Sequence, residues 1–373
     1  MFFVLLNTYK NIFSKKMSGL NQETTWDKTS VYPIKLLNLS RASKKVEKKC
    51  LKLNFSNIYN ICYMNSSIQC LFHLNDFVLY ILKFGGIKKG QLTLATVSLV
   101  KEMLNPKNVK NTLSVTHIKK AMGILNELYK GNDQEDANVF ISNYLNLLHE
   151  EIADKNKITK LFKEIDNEEE RKIFEKFYNK VYVKKGSSFI LDLFYGVLRT
   201  KRYCKCGIIS KFYSPFNILE LPISFSSKIN NRETLNFNEI LIDYISQKKI
   251  LGAICEKCKK QIYSKAEIYD LPKILIIYFG RSYDNYFIEN DIDFPKEMDF
   301  NDFLSEDNNN DSDKCKYNLK NIIFYCKIGN KGHYYASCFN DNKWIYFDDH
   351  YIKNEDENYL YGIPIILFYE KDN

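Results

Sequence analysis

The spacing of apolar residues changes along this chain, from a helical period to short alternating runs. Apolar side chains recur three and four positions apart in 62–75, 118–128 and 137–148, which places one apolar stripe on each of three helices. Asp133 is predicted to cap the third helix. Later runs are rich in β-branched and aromatic residues, as strands are, and occupy 189–198, 218–223, 262–268, 274–279, 318–325, 334–339, 344–347 and 363–369. Helices first and an antiparallel sheet last predict the α+β class.

The remaining segments set the predicted domain organisation. Residues 1–53 show no sustained period and contain a lysine-rich stretch, so they are predicted to form an N-terminal extension that is in part disordered. Residues 54–373 are predicted to form the folded body. Within this body, 164–180 is predicted to be a charged helix or linker. The acidic, asparagine-rich segment 283–314 is predicted to be a surface insertion with a short ordered piece at 294–295.

Composition allows a large core and bears on the role of the cysteines. Hydrophobic residues make up 45% of the 373 residues and charged residues 27%, so a core can form without disulfide bonds. No run approaches the roughly 18 apolar residues of a membrane span, and neither a basic segment nor a cleavage site marks a signal peptide. The ten cysteines are therefore predicted to be free thiols, metal ligands or a nucleophile. The net charge of +9 permits an acidic partner but identifies none.

Cys62 stands where a loop ends and a helix begins, in the segment NIYNICYMN that starts at Asn57. A thiol at a helix N-terminus faces the positive end of the macrodipole, which favours the reactive thiolate. Cys62 is therefore a candidate nucleophile, and the alternative is a buried cysteine that acts as a small apolar residue. Asn57 lies five residues earlier, where its amide can donate to an oxyanion; the alternative is a turn-forming asparagine.

A cysteine nucleophile needs a base, and His333 is the best-placed histidine. It follows Gly332 at the start of a strand, where a glycine lets an extended substrate come close. Three other histidines lie in the helical region, either too far along the helix of Cys62 or typical of packing and surface positions: His73, His117 and His149.

The turn between two of the predicted strands identifies a third member of the site. A turn centred on Asp341-Asn342 makes Asp348 the diagonal neighbour of His333, within reach of a hydrogen bond between carboxylate and imidazole. Asp349 then points to the opposite face, unless a one-residue bulge exchanges the two acids. The alternative for both is a solvated strand end.

Segments of the chain, taken in order, resemble motifs of the ubiquitin-specific proteases, a family of papain-like cysteine peptidases. Residues 57–69 are similar to the family's cysteine box, and 134–137 with Phe140 to its Gln-Gln-Asp box. Residues 332–336 and 344–349 are similar to its histidine box. Weaker similarities fill the gaps, at 193–196, 271–275, 294–295 and 367–369. The resemblance runs from about residue 54 to 370 in the family's order.

The resemblance implies a role for each matching residue. Cys62 matches the nucleophile, His333 the general base and Asp348 the residue that orients the imidazole. Asn57 matches the oxyanion donor, and Asp349 a second acid that assists in some members.

Asp136 matches a residue that contacts an arginine of the ubiquitin tail, although an acid is also favoured there because the position follows the predicted cap Asp133. The other implied substrate contacts are Gln134, Gly332 and Tyr335.

The resemblance also implies a fold and an activity. The expected body is a papain-like right hand with a helical thumb (about 54–165), β fingers (about 189–270) and an antiparallel β palm (about 271–373). The expected activity is a thiol hydrolase that cleaves the isopeptide or peptide bond after the last glycine of ubiquitin, without a catalytic cofactor. Ubiquitin and ubiquitinated proteins are the expected partners, with neither nucleic acid nor membrane. A monomer in the cytoplasm or nucleus is expected.

Two departures from the family pattern keep other functions open. Tyr59 and Ile61 stand where the family has glycine and threonine, and Asn138-Val139 replaces an acidic and polar pair. Tyr59 and Ile61 motivate one alternative, a weak or inactive ubiquitin-binding module of the same fold. The other alternative is a protease for another ubiquitin-like modifier.

Two cysteine pairs lie where the family carries a zinc ribbon. Cys255 and Cys258 form a CxxC motif, and Cys204 and Cys206 a CxC motif that is tighter than the usual zinc spacing. Four thiolates would make a closed structural zinc site; the alternative is a region that holds its shape by packing. A nucleic-acid-binding ribbon is a further reading of a basic chain, but it leaves the cysteine, histidine and aspartate motifs unexplained.

Overall fold

The structure, a computed structural model, describes residues 54–57, 60–84, 90–104, 112–156, 160, 162, 165–223, 234–283, 286–305, 315–328, 331–355 and 362–372. The predicted N-terminal extension, 1–53, lies outside the described residues. So do 306–314 of the predicted acidic insertion and the divergent Tyr59.

Helices dominate the first part of the described chain. The α-helices there and further on are α1 (Cys62–Phe72), α2 (Asn75–Phe84), α3 (Gln91–Leu104), α4 (Thr116–Leu125), α5 (Ala137–Ile152), α6 (Glu168–Tyr178), α7 (Phe189–Phe194) and α8 (Phe237–Ile245). We call α1 to α5 the helical region. Every residue of α1 is buried, because this helix packs between α5 and a large sheet. None of the helices in the described residues is long and apolar enough to cross a bilayer.

The helix boundaries correct two details of the sequence prediction. The third amphipathic helix, α5, begins at Ala137 with Asp136 as its N-cap residue, so Asp133 does not cap it. The preceding residues are extended because Gln134 and Asp136 bond to the sheet instead of to the helix end. The run after 189 begins as the buried helix α7, not as a strand. A short, wholly apolar run fits a buried helix and a buried strand equally well.

Strands dominate the second part. They are β1 (Asn54–Phe55), β2 (Thr112–Leu113), β3 (Gly196–Cys204), β4 (Gly207–Phe216), β5 (Leu219–Pro222), β6 (Thr234–Asn236), β7 (Gln247–Ile254), β8 (Gln261–Asp270), β9 (Ile274–Gly280), β10 (Ser282–Tyr283), β11 (Tyr286–Phe287), β12 (Asp291–Asp293), β13 (Glu297–Asp299), β14 (Lys316–Ile328), β15 (Lys331–Asn340), β16 (Lys343–Asp348), β17 (Tyr351–Glu355) and β18 (Ile363–Lys371). The predicted strands after residue 318 are confirmed, each with small extensions.

Two sheets organise these strands. The main sheet has the order β17-β16-β15-β14-β18-β9-β5, with β13 added beside β14. Its pairs are antiparallel except β5 with β9, which are parallel. The smaller sheet has the order β4-β3-β8-β7 and is antiparallel throughout. The structure is therefore α+β, as predicted.

The main sheet is buried on both faces, which explains the continuous apolar run of β18. Ile366 and Phe368 pack in the core shared with the helical region. Leu367 and Tyr369, which alternate with them, pack in a second core on the opposite face, together with α8. Because α1 packs directly on this sheet, the N-terminus of α1 and the β15–β16 hairpin meet at one edge of the shared core.

Candidate active site

Cys62 is the first residue of α1, as predicted, and its surroundings fix the loop before it. Asn60 adopts a positive φ of 56°, which turns the chain into the helix. The Ile61 N–H donates to Asn57 Oδ1 at 3.1 Å, and Asn60 Nδ2 donates to the carbonyl of Asn132 at 3.2 Å. The thiol of Cys62 therefore sits at the positive end of a helix whose first turn is tied down on two sides.

His333 lies on β15 and reaches Asp348 on β16, as the hairpin register predicts. Asp341 and Asn342 both have positive φ, which matches a two-residue hairpin turn, and Phe339 pairs with Trp344. The distance from His333 Nε2 to Asp348 Oδ1 is 2.6 Å.

The electrostatics of the imidazole follow from these contacts. The hydrogen bond to Asp348 and the nearby Cys62 thiol raise the pKa of His333 from 6.5 to about 10, although burial opposes the shift. The bond to His333 lowers the pKa of Asp348, and Tyr346 Oη adds a hydrogen bond at 3.0 Å. Since Asp348 occupies Nε2, the other ring nitrogen is the one left for the thiol. The imidazole is thus bonded to the carboxylate and lies beside the thiol.

The position of Asp349 differs from the sequence prediction. The sequence predicts it on the opposite face of the hairpin, but its carboxylate lies on the same side as His333 and Asp348. It lies just after the end of β16 with a positive φ of 48°, so the strand alternation no longer applies to it. Asp349 accepts hydrogen bonds from Asn57 Nδ2 at 2.7 Å and from Asn65 Nδ2 at 2.8 Å. Its Oδ2 is 4.0 Å from His333 Nε2. Burial raises the pKa of Asp349, while the two amides oppose the shift.

Gln134, Gly332 and Asp136 lie together beside Cys62. Gln134 Nε2 donates to the carbonyl of Gly332 at 2.5 Å and lies 3.5 Å from Cys62 Sγ. Asp136 accepts a hydrogen bond from Tyr334 Oη at 3.0 Å. A Cβ atom at Gly332 would meet the ring of Tyr325 at 2.3 Å, so a larger residue here would displace that ring. We call these residues, Gln134, Asp136, Gly332, Tyr325 and Tyr334, the cleft residues.

Tyr335 lies apart from the cleft residues. Its ring is buried and packs on Phe324 and Tyr346, with centroid distances of 5.4 and 5.2 Å. It is 6.4 Å from the His333 ring, where it supports the hairpin.

Sequence reasoning missed three residues of the site. Asn65 lies one helical turn after Cys62 and binds Asp349, and its spacing of three is a signal for a shared helix face. Tyr334 lies within the histidine motif, and the ring of its neighbour Tyr325 packs edge-on against it, with a centroid distance of 5.1 Å. Tyr325 has no signal in sequence, because it meets the site only through the pairing of β14 with β15.

The four cysteines of the CxC and CxxC motifs also come together, at the turns of the smaller sheet. The Sγ atoms of Cys204, Cys206, Cys255 and Cys258 all lie within 4.8 Å of one another. Cys258 Sγ and Cys204 Sγ are 3.7 Å apart. Zn–S bonds of about 2.3 Å in a tetrahedron give an S–S edge of about 3.8 Å. The four sulfurs thus have the spacing of a closed tetrahedral site, whereas a disulfide has an S–S distance of about 2.0 Å.

Comparison with known proteins agrees with the geometry. The family description "Ubiquitin carboxyl-terminal hydrolase" matches residues 53–369. Ubiquitin carboxyl-terminal hydrolase Usp2 of Drosophila melanogaster is 27% identical over 88% of this chain and 36% of its own length. Ubiquitin carboxyl-terminal hydrolase 5 of Saccharomyces cerevisiae is 26% identical over 86% of this chain and 45% of its own. The chain thus spans less than half the length of these two relatives.

Solved structures show the same fold. The module containing Ubp8, bound to monoubiquitin, matches with a TM-score of 0.66 and 17% identity, over 92% of this chain and 77% of the other. The same module bound to ubiquitin aldehyde matches with a TM-score of 0.67 and 18% identity, over 92% and 77%. The family match covers most of the chain and the fold agrees with it. The chain therefore belongs to the ubiquitin carboxyl-terminal hydrolase family and has the papain-like α+β fold of its ubiquitin-specific proteases.

Proposed function

We propose that this protein is a thiol hydrolase that cleaves the isopeptide or peptide bond after the C-terminal glycine of ubiquitin. The observation that carries the proposal is His333, whose Nε2 hydrogen-bonds Asp348 at 2.6 Å and whose raised pKa also reflects the Cys62 thiol beside it. This is the arrangement of nucleophile, base and orienting acid that acyl transfer to a thiol requires. The family match and the relatives named as ubiquitin hydrolases support ubiquitin as the substrate.

The chemistry starts with proton transfer from Cys62 to His333. Because the pKa of His333 is raised to about 10, the imidazole keeps this proton at neutral pH. The Cys62 thiolate attacks the carbonyl carbon of the last glycine, and His333 donates its proton to the departing lysine amine. A water molecule, deprotonated by His333, then hydrolyses the thioester. Asp348 holds the imidazole in the required orientation.

Asn57 is proposed to stabilise the oxyanion, with Asp349 as its positioning residue. An amide group has two N–H donors, and Asp349 accepts one of those of Asn57. The other can donate to the developing negative charge, together with the backbone N–H groups at the start of α1. Asp349 also binds Asn65, so the carboxylate joins the loop before Cys62 to the helix that carries it.

The cleft residues are proposed to hold the ubiquitin tail. Asp136 is exposed and offers a carboxylate to an arginine, while Tyr334 fixes its orientation. Gln134 lies within 3.5 Å of the thiol, where its amide can donate to a tail carbonyl. Gly332 is proposed to leave a narrow passage for the backbone of the tail. The buried Tyr335 is proposed to support the hairpin rather than to contact the tail.

Turnover tests the proposal directly. We expect the wild-type protein to release the fluorophore from ubiquitin that carries a fluorogenic amide at its C-terminus. Binding of ubiquitin without release would instead support the inactive module. Faster release from another ubiquitin-like modifier with the same reporter would instead support a protease for that modifier.

The pH dependence of kcat/KM is expected to shift when Asp348 is replaced by Asn. The Asp348 carboxylate is the main cause of the raised pKa of His333, so its loss lowers that pKa towards 6.5. His333 then loses its proton at lower pH, and the alkaline limb of the profile moves down by more than about one unit. Asp341→Asn, an identical change in the hairpin turn, is expected to leave the limb in place. An unchanged limb in Asp348→Asn contradicts the role of Asp348.

The four clustered cysteines are proposed to bind a structural zinc ion. The spacing of the sulfurs and the supply of four thiol ligands support a closed site with an all-cysteine ligand set. When bound, zinc would crosslink the β3–β4 and β7–β8 turns and take no part in the reaction.

Removal of one of these thiols is expected to remove the metal. We expect Cys255→Ser to lower zinc from about one equivalent per chain to nearly none, and to lower the melting temperature, because metal binding is coupled to folding. Cys315→Ser, a change at another buried cysteine, is expected to keep the metal. Elemental analysis of both purified variants measures this. Equal zinc content in both variants would show that the site does not hold the ion.

The remaining assignments are also proposals. The thumb is proposed to span about 54–165, the fingers 189–270 and the palm 271–373, in keeping with the helical region and the two sheets. The protein is proposed to act as a monomer on ubiquitinated proteins, in the cytoplasm or nucleus, without binding nucleic acid or membrane.

A further inference from the structure

A groove with a volume of about 630 Å³ opens on the helical region next to Cys62. Ile61, the residue before Cys62, lines one end, and Ile124 and three lysines line the rest: Lys119, Lys120 and Lys130. We propose that this groove binds the part of the ubiquitinated protein that flanks the modified lysine, and that it favours acidic residues around an apolar one. The inference rests on the proposed hydrolase function, and it assigns a substrate class to the leaving side of the bond.

The groove is built by a fixed set of contacts. One wall is α4, and the other is the short turn Glu127–Tyr129 with the loop to Asn132. Lys119 Nζ donates to the carbonyl of Tyr129 at 3.3 Å and to the carbonyl of Gly131. At Gly123 a Cβ atom would lie 3.2 Å from the Tyr129 carbonyl, so the walls meet closely at the base. A preformed groove loses little conformational entropy on binding.

The position of the groove connects it to the leaving side of the scissile bond. The proposed tail contacts Gln134, Asp136 and Gly332 do not line it. Its wall is nevertheless tied to the cysteine loop, through the hydrogen bond from Asn60 Nδ2 to the Asn132 carbonyl at 3.2 Å. A substrate is continuous through the carbon attacked by Cys62. When the tail occupies the cleft residues, the groove beside Ile61 is available to the protein on the other side of the bond.

The charge of the groove selects acidic residues. Three lysines and no carboxylate are among the described residues that line it, and the nearby carboxylates of Asp133 and Glu135 act on Lys119. Lys119 is engaged with backbone carbonyls, and Lys120 is exposed. Lys130 pairs with Glu127 at 2.6 Å, but the two side chains are 59% and 90% exposed, so the pair is weak and exchangeable. Lys120 and Lys130 are thus the cations that an incoming carboxylate can reach.

An apolar contact completes the recognition. Ile124 is 67% exposed and lines the groove on α4, whereas Ile61 borders the groove but is only 1% exposed. Ile124 is therefore the apolar side chain that a ligand can cover. Burial of such a side chain by a ligand is favourable, at roughly 25 cal/mol per Å² of apolar surface. An apolar residue flanked by carboxylates fits both properties.

The test compares substrates that differ only on the leaving side. Ubiquitin is joined through its C-terminal glycine to the lysine of a short peptide that carries a leucine with either two glutamates or two lysines. The ratio of kcat/KM for the two conjugates is measured, so that ubiquitin binding cancels. The variants are Lys120→Glu with Lys130→Glu, and a control with the same charge change at exposed positions on and just after α6, Lys176→Glu with Lys180→Glu.

We expect the wild type and the control to cleave the acidic conjugate at least about threefold faster, and the groove variant to lower this ratio about fivefold or more. A matched pair of conjugates lacks the leucine. Ile124→Ser is expected to lower the ratio of kcat/KM for each leucine-containing conjugate to that for its leucine-free counterpart. A wild type without preference, or a groove variant with the wild-type ratio, overturns the inference. Failure of the wild type to cleave a fluorogenic ubiquitin amide would contradict the proposed function instead.

Discussion

Replacing His333 by Ala is expected to lower kcat/KM for a fluorogenic ubiquitin amide by at least about 10⁴-fold. His333 is the proposed acceptor of the Cys62 proton, and it is also the proposed donor to the leaving amine. Without the imidazole, the thiol has no base to accept its proton, and the departing amine has no acid to protonate it. Both half-reactions are affected, so the loss is larger than for any positioning residue.

Another histidine provides the matched control. His117→Ala changes an exposed residue on α4 and is expected to leave turnover unchanged within experimental error. Circular dichroism and thermal melting of both variants show whether the fold is kept. If folded His333→Ala retains more than about a tenth of the wild-type rate, the proton transfers proceed without it, and the assignment of the base is wrong.

Replacing Arg199 by Ala is expected to lower the free energy of unfolding by about 3–5 kcal/mol. Arg199 is 1% exposed and lies on β3, where it joins two carboxylates. Nη1 is 2.9 Å from Glu170 Oε1, and Nε is 2.8 Å from Glu267 Oε2. The guanidinium also lies over the ring of Tyr269, at 5.4 Å from its centroid. Its loss removes the cation that both buried acids share.

The contacts of these acids show why the arginine is central. Glu170 comes from α6 and also bonds to Lys211. Tyr213 Oη donates a further hydrogen bond to it at 2.5 Å. Glu267 comes from β8 and also pairs with Lys201 at 3.0 Å. The network therefore joins α6 to three strands of the smaller sheet, where the proposed fingers lie.

A surface pair on the same helix is the control. Lys172 pairs with Glu168 at 2.8 Å, but both side chains are about two-thirds exposed, at 64% and 67%. Lys172→Ala is expected to cost less than about 0.5 kcal/mol. Urea unfolding of the two variants and the wild type measures the difference. Similar small losses for both variants would show that the buried network adds nothing to stability.

The sequence predicts the site well where local geometry decides it. A two-residue turn fixes the register of the β15–β16 hairpin, and this register makes Asp348 the diagonal neighbour of His333. A helix that begins at Cys62 follows from the apolar spacing after it. Asp349 escapes the same reasoning, because it lies beyond the strand with a positive φ, where alternation no longer holds.

Contacts between distant segments could not be predicted. The loop before α5 stays extended because Gln134 and Asp136 bond to β15, almost two hundred residues later, and this overrides the local preference for a helix cap. Arg199 meets its two acids through sheet pairing and helix packing, and no spacing in the sequence marks them. The groove beside Ile61 likewise depends on how α4 packs against the following loop.

Labelling with ubiquitin that carries a C-terminal electrophile is the most direct test of the central claim, that Cys62 is the nucleophile of a ubiquitin hydrolase. Intact mass spectrometry after incubation counts the adducts on a chain with ten cysteines. We expect one adduct on the wild type, located at Cys62, and none on folded Cys62→Ala. A folded wild type that gains no adduct, or a Cys62→Ala protein that is labelled to the same extent, contradicts the claim.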